Sequence, residues 1–197
     1  MASWFLPSRC TVGVPTSNAA SGSIYYEIEL LSIGKTLRVG WASTSFQPRN
    51  HPLSKLVSVG DDEHSWGIDV RGGKVWHAKQ LEPSTVQLNW QEGDVFGCAI
   101  DRARAELWVG CNGQWLVAKH ACSFASSLFP VVSGYLTSGI FISGRQSPRY
   151  AGPGPHFVGL CGELPFMPQQ LDAIDAAQEA LTAPPVLLLG TAEVENA

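Results

Sequence analysis

Residues Ser58 to His77, SVGDDEHSWGIDVRGGKVWH, gather four acids, two histidines and two tryptophans around a double glycine, and several chemistries use such groups. Asp61, Asp62 and Glu63 offer oxygen ligands to Ca²⁺, but consecutive side chains diverge in an extended chain and the regular spacing of a calcium loop is missing. Glycoside cleavage needs two carboxyl groups held roughly 5 to 10 Å apart across a cleft, which neighbours in sequence do not supply. His64 and His77 with Cys98 or Cys111 would make a zinc set, yet His77 stands in VWHA beside hairpin glycines with no second ligand close by. No metal site is expected.

Nucleophilic catalysis fares no better. VSGY holds a serine without the G-x-S-x-G elbow, and KHAC, with His120 and Cys122, reads as a loop boundary. Trp66 and Trp76 read as packing residues, each burying a large area while its N–H finds a carbonyl. Gly72 and Gly73 make the turn between them. In AIDRARAELWVGCNG, Asp101 with Asn112 and Gly113 reads as a hairpin whose acid and Asn-Gly turn set the register. The stretch is expected to be a corner, with no catalytic residue and no cofactor.

These side chains must ride on strands. IYYEIEL places Ile24, Tyr26, Ile28 and Leu30 at every second position with Glu27 and Glu29 between, a period that suits a half-buried strand. TLRVGWA repeats the beat at Leu37, Val39 and Trp41, DVFGCAI at Phe96, Cys98 and Ile100, AELWVG at Leu107 and Val109, and GIFIS at Ile140 and Ile142. Turn-forming clusters, QPRNHP, VRGGK, QEGD, GCNGQ and LTSG, separate them. With no helical stretch before Met167, the pattern predicts antiparallel strands closed as a two-sheet β-sandwich.

After Gly144 the composition changes. RQSPRYAGPGPHFVG is rich in proline and glycine and is expected to run extended along the sandwich surface, outside any ladder. PFMPQQLDAIDAAQEALTAPP predicts a short C-terminal α-helix over 168–182, with an apolar stripe of Leu171, Ile174, Ala177 and Leu181 and a stop at Pro184 and Pro185. The organisation expected is a sandwich over 1–160 and a tail over 161–197.

Composition narrows the partners. In 197 residues, 45% are hydrophobic and 15% charged, which is globular usage and long enough for one well-cored domain. The net charge of -4 and the absence of a Lys/Arg run argue against nucleic acid. VLLLG is too short to span a bilayer, and MASWFLPSRC lacks the parts of a secretion signal. Five cysteines, none two residues from another, suggest reduced thiols rather than a disulfide framework, and so a cytoplasmic setting.

In order along the chain, YYEIEL, RVGWA, VGDDEHSWGID, WH, GDVFGCAID, CNG and FPVVS resemble the motifs of SPRY domains, also called B30.2 domains, over residues 23–160. GRQSPRYAGPGPHFVGL is similar to the closing segment of many members, with Pro153, Pro155, Phe157 and Leu160 in the expected places. Ile142 and Ser143 stand before Gly144 where the family usually has an asparagine and a hydrophobe, and the residues before Ser23 match its opening strands poorly. The resemblance implies a bent all-β sandwich without catalysis, whose loops at one edge hold a peptide or folded partner, often as the recognition arm of a larger assembly or ubiquitin ligase. It puts Trp41, Gly60, Asp61, Trp66, Gly67 and Trp76 in the structural framework, and Asp101, Asn112, Gly113 and Pro130 with them.

Recognition is then expected from loops on a rigid scaffold. The positions that resemble the family's binding edge are Arg49, Asn50, His51 and Lys55 in QPRNHPLSK, Tyr135, Leu136 and Thr137 in GYLTS, and SRC near Arg9. Tyr135 is the expected anchor, because aromatic and arginine side chains dominate interface energetics. Arg49 and Lys55 favour an acidic or amide-rich segment. A carbohydrate-binding or glycan-cleaving sandwich is the alternative, and it requires an exposed tryptophan beside paired acids.

Overall fold

The alternation in IYYEIEL becomes the centre of a seven-stranded sheet, and the reason is visible in what each face meets. A computed structural model describes residues 2–6, 10–13, 22–47, 58–82, 86, 90–124, 127–142 and 148–160. All lie in the first of the chain's two units, Met1–Phe166. The helix expected over 168–182 lies outside the described residues.

In the first sheet, β1 (Ala2–Leu6) is followed in space by β12 (Thr137–Phe141), β3 (Ser23–Ser32), β8 (Val95–Asp101), β9 (Glu106–Cys111) and β10 (Gln114–Lys119). The register sets Ile24 opposite Ile100, Tyr26 opposite Cys98 and Ile28 opposite Phe96. Opposed residues share a face, so the apolar half of each strand points the same way.

The second sheet runs β2 (Cys10–Gly13), β11 (Phe129–Tyr135), β4 (Thr36–Ala42), β5 (Ser65–Asp69), β6 (Val75–His77) and β7 (Gln80–Glu82). Leu37, Val39 and Trp41 of β4 are buried, as are Ile68 and Val75 beside them. The two sheets meet where the Tyr26 ring stands edge-on to Trp41, centroids 4.9 Å apart. There the Tyr26 hydroxyl donates to the Gly40 carbonyl at 2.7 Å, so its burial strands no polar group. The described residues form the all-β, two-sheet sandwich that the alternation predicted, antiparallel apart from one short strand.

Residues 10–13 and 2–6, which match the family's opening poorly, supply one edge strand to each sheet: β1 pairs with β12 and β2 with β11. The proline-rich closing segment was expected to stay out of the ladders. Instead β13 (Phe157–Gly159) pairs in parallel with the start of β3, Phe157 opposite Ser23. It takes the stretch of the β3 edge that β12, paired with Ile28 to Ser32, leaves uncovered. That half of β3 presents unpaired backbone groups, and burying them requires a partner strand.

On the outer side of the first sheet, Tyr25, Ala99 and Phe157 form a second apolar cluster with Trp108 and Trp115 packed against it. Residues 148–160 cross this cluster as a strap. Trp115 Nε1 donates to the Ala151 carbonyl at 2.8 Å, and the Tyr25 hydroxyl to the Tyr150 carbonyl at 3.0 Å.

Candidate partner-binding edge

The acid-rich corner is tied up in its own hydrogen bonds. Asp61 accepts from the Arg38 guanidinium at 2.8 Å and from the Ser58 amide at 2.9 Å. Asp62 accepts from the Ser65 hydroxyl at 2.6 Å and the His64 amide at 3.2 Å. These carboxylates are occupied by their own turn and by β4, in the manner of Asx capping. Arg38 also lies over the Trp76 ring, 4.2 Å from its centroid. Trp66 is 5% exposed and stacks on His77, centroids 3.7 Å apart, while His77 Nδ1 donates to the Ser65 carbonyl at 2.9 Å. The expected carbonyl partner for the Trp76 N–H is not met among the described residues.

Asp101 and the Asn112–Gly113 turn belong to different hairpins, not to one. Asp101 closes the turn from β8 to β9: it is fully buried and accepts from the Ala103 and Arg104 amides at 3.0 and 3.1 Å and from His156 Nε2 at 3.0 Å. Burial works to raise its carboxyl, but the bonds from His156, the Arg104 amide, the Ser23 hydroxyl and the Ala103 amide outweigh that and hold it below the ordinary aspartate value. Asn112 and Gly113, at φ +47° and +81°, make the tight turn at the other end of β9. The Asn112 side chain accepts from the Val95 amide at 2.9 Å and donates to Asp94 at 2.9 Å.

Of the expected recognition residues, Tyr135, Leu136 and Thr137 are described; Arg49, Asn50, His51 and Lys55 lie outside the described residues, as does Arg9. Tyr135 pairs with Thr36 at the start of β4. Ala42, at the other end of β4, is about 20 Å from Thr36 along the strand.

Three turns converge on Tyr135. Antiparallel order brings the link from β3 to β4 (Ile33, Gly34, Lys35), the link from β5 to β6 (Val70 to Lys74) and the link from β11 to β12 (Leu136) to one end of the sandwich. The Lys35 amide donates to the Tyr135 carbonyl at 3.0 Å, and its ammonium lies 5.3 Å from the centre of the Tyr135 ring, within cation–π range. The Arg71 guanidinium donates to the Gly34 carbonyl. Gly34, at φ +59°, sits so close under the Leu136 carbonyl that a side chain there would collide with it.

Leu136 stands on this platform at φ +53° and is 40% exposed, whereas Tyr135 is half-buried. Thr137 does not face a partner: its side chain is fully buried and its hydroxyl donates to the Ser32 carbonyl, so it anchors the turn. The hydroxyl gives the Ser32 carbonyl a side-chain donor where the chain crosses from one sheet to the other.

Sequence reading missed Lys35 and Arg71. VRGGK reads as a turn signal and nothing more, Lys35 stands in none of the clusters singled out, and only the strand order shows that both turns share an end with Tyr135.

A two-sheet β-sandwich with three turns gathered at one end is a scaffold suited to protein interaction. The SPRY domain model matches residues 23–146, and the chain belongs to that family. It is also similar to the E3 ubiquitin-protein ligase RKP of Arabidopsis thaliana, 33% identical over 97 residues, which is 49% of this chain and 7% of that protein. Among the described residues no helix is long and apolar enough to cross a membrane.

Proposed function

We propose that this chain binds a peptide or a folded protein partner at the end of the sandwich where Tyr135, Leu136, Lys35 and Arg71 meet. The observation that carries the reading is Leu136, a large apolar side chain held in the left-handed region and left 40% exposed. Strained backbone at a solvent-facing apolar residue points to a role in contact rather than in packing.

The similarity to part of a ubiquitin ligase supports a role as adaptor or substrate-recognition component, with any chemistry belonging to a partner. We place it in the cytoplasm, in keeping with the free thiols of Cys98 and Cys111. A glycan-binding sandwich needs an exposed tryptophan beside paired acids; Trp66 is buried under His77, and Arg38 lies over Trp76.

The test is affinity capture from cytosol with wild-type chain and with a Tyr135→Ala, Leu136→Asn double variant of matched folding. Partners kept by the wild type and lost by the variant place recognition at this end. Identical partner sets would move the binding surface elsewhere and end the proposal.

A further inference from the structure

The charges around Leu136 suggest what kind of partner fits there. The chain carries a net charge of -4, yet this end collects Lys35 from one turn and Arg71 and Lys74 from another, all three exposed. Lys35 is steadied over the Tyr135 ring and Arg71 by its bond to the Gly34 carbonyl, so both cations are pre-positioned rather than loose.

The acid within the same turns is already engaged. Asp69 accepts from the Arg71 amide at 3.0 Å and its carbonyl takes the Gly73 amide at 2.8 Å. Glu92 is exposed on the separate turn from Gln91 to Asp94, next to Leu30 in the first sheet. The local field at the Leu136 platform is therefore positive on one flank.

We infer that the occupant of this edge is an acidic linear segment bearing one large apolar side chain. Its apolar residue packs on Leu136 and the Tyr135 ring, and its carboxylates face Lys35, Arg71 and Lys74. The arginine fork suits a carboxylate in two-point contact, and the lysines steer it in. This inference rests on the reading of the Tyr135 edge as the binding surface and adds the chemistry of what binds.

A library of random ten-residue peptides displayed on phage, selected against the immobilised full chain, tests it directly. Selections run in parallel on a Lys35→Glu, Arg71→Glu variant and on Leu136→Asn. The expected result is enrichment of Leu, Ile or Phe flanked by Asp and Glu on the wild type, a swing to Lys and Arg flanks on the charge-reversed variant, and at least a tenfold loss of recovery on Leu136→Asn.

Peptides without acidic bias that ignore charge reversal yet are lost with Leu136→Asn would overturn the acidic partner while leaving the edge in place. Peptides indifferent to both variants would overturn the edge as well. No enrichment at all would overturn the inference, since it requires a linear segment to suffice.

Discussion

Leu136 and Thr137 are neighbours with opposite roles, and the difference is set by where each side chain ends. Thr137 closes the crossing from β11 to β12 by giving its hydroxyl to the Ser32 carbonyl in a fully buried position. Leu136 takes the left-handed backbone that the crossing requires, at a cost of roughly 1 to 2 kcal/mol for an ordinary L-residue. Asparagine tolerates that conformation far better. Leu136→Asn is therefore expected to melt at the same temperature or a few degrees higher, a gain of up to about 1 kcal/mol, while losing partner. Thermal denaturation followed beside the capture assay decides it. A clear fall in melting temperature would show that Leu136 is packing and not contact surface.

The strap over residues 148–160 is the element whose behaviour depends most on one buried group. Glu27, 1% exposed, accepts from the Arg149 amide at 2.6 Å and the Tyr150 amide at 3.0 Å, and Glu29 pairs with the Arg149 guanidinium at 2.7 Å. Replacing Glu27 with glutamine puts an amide donor against one of two backbone donors, so one bond is lost and a buried N–H is stranded. The expected cost is about 1 to 3 kcal/mol. Hydrogen exchange should quicken across 149–160 while the amides shared by β3 and β8 keep their protection, because the strap can open without the central ladder. Uniform acceleration through both would mean that the strap and the sandwich unfold as one. This element also shows where sequence reading stops. The period of two in β3, β4, β8 and β9 exposed the sandwich, since alternate residues of a strand point to the same face, even though β8 is buried on both of its faces. A three-residue parallel strand in a glycine- and proline-rich stretch has no period to read, and its place is decided by the vacant half of β3. The platform at Leu136 was legible only in part: Tyr135 and Leu136 stood out by type and motif, whereas Lys35 and Arg71 needed the strand order to bring three turns together.

At the scale of the whole molecule, the buried ionisable groups pull stability in different directions as pH changes. Asp101 is held below its ordinary value of 3.8, so its contribution is fully present above that value and is lost as pH falls through its folded value. Glu27 behaves in the opposite sense. Burial raises it from 4.5 more strongly than the Arg149 and Tyr150 amides and the Arg149 charge lower it, so its contribution is full below 4.5 and declines as pH climbs through the raised value. On the alkaline side, burial pushes the Cys98 thiol from 9.0 up to about 12, and burial with the Asp94 charge pushes Cys111 up to about 11. Both thiols stay protonated in the fold after they would ionise in the unfolded chain, so stability falls once pH passes 9.0. The expected profile has its maximum on the acid side of neutrality, a steep loss below 3.8 and a second loss above 9.0, with the deeply buried Cys98 supplying on the order of a few kcal/mol of that last limb. Denaturant midpoints measured from pH 3 to 11 should show Asp101→Asn flattening the acid limb, Glu27→Gln removing the decline that sets in above 4.5, and Cys98→Ala flattening the alkaline limb. If Cys98→Ala leaves the alkaline limb as steep as before, the buried Cys98 thiol is not its cause.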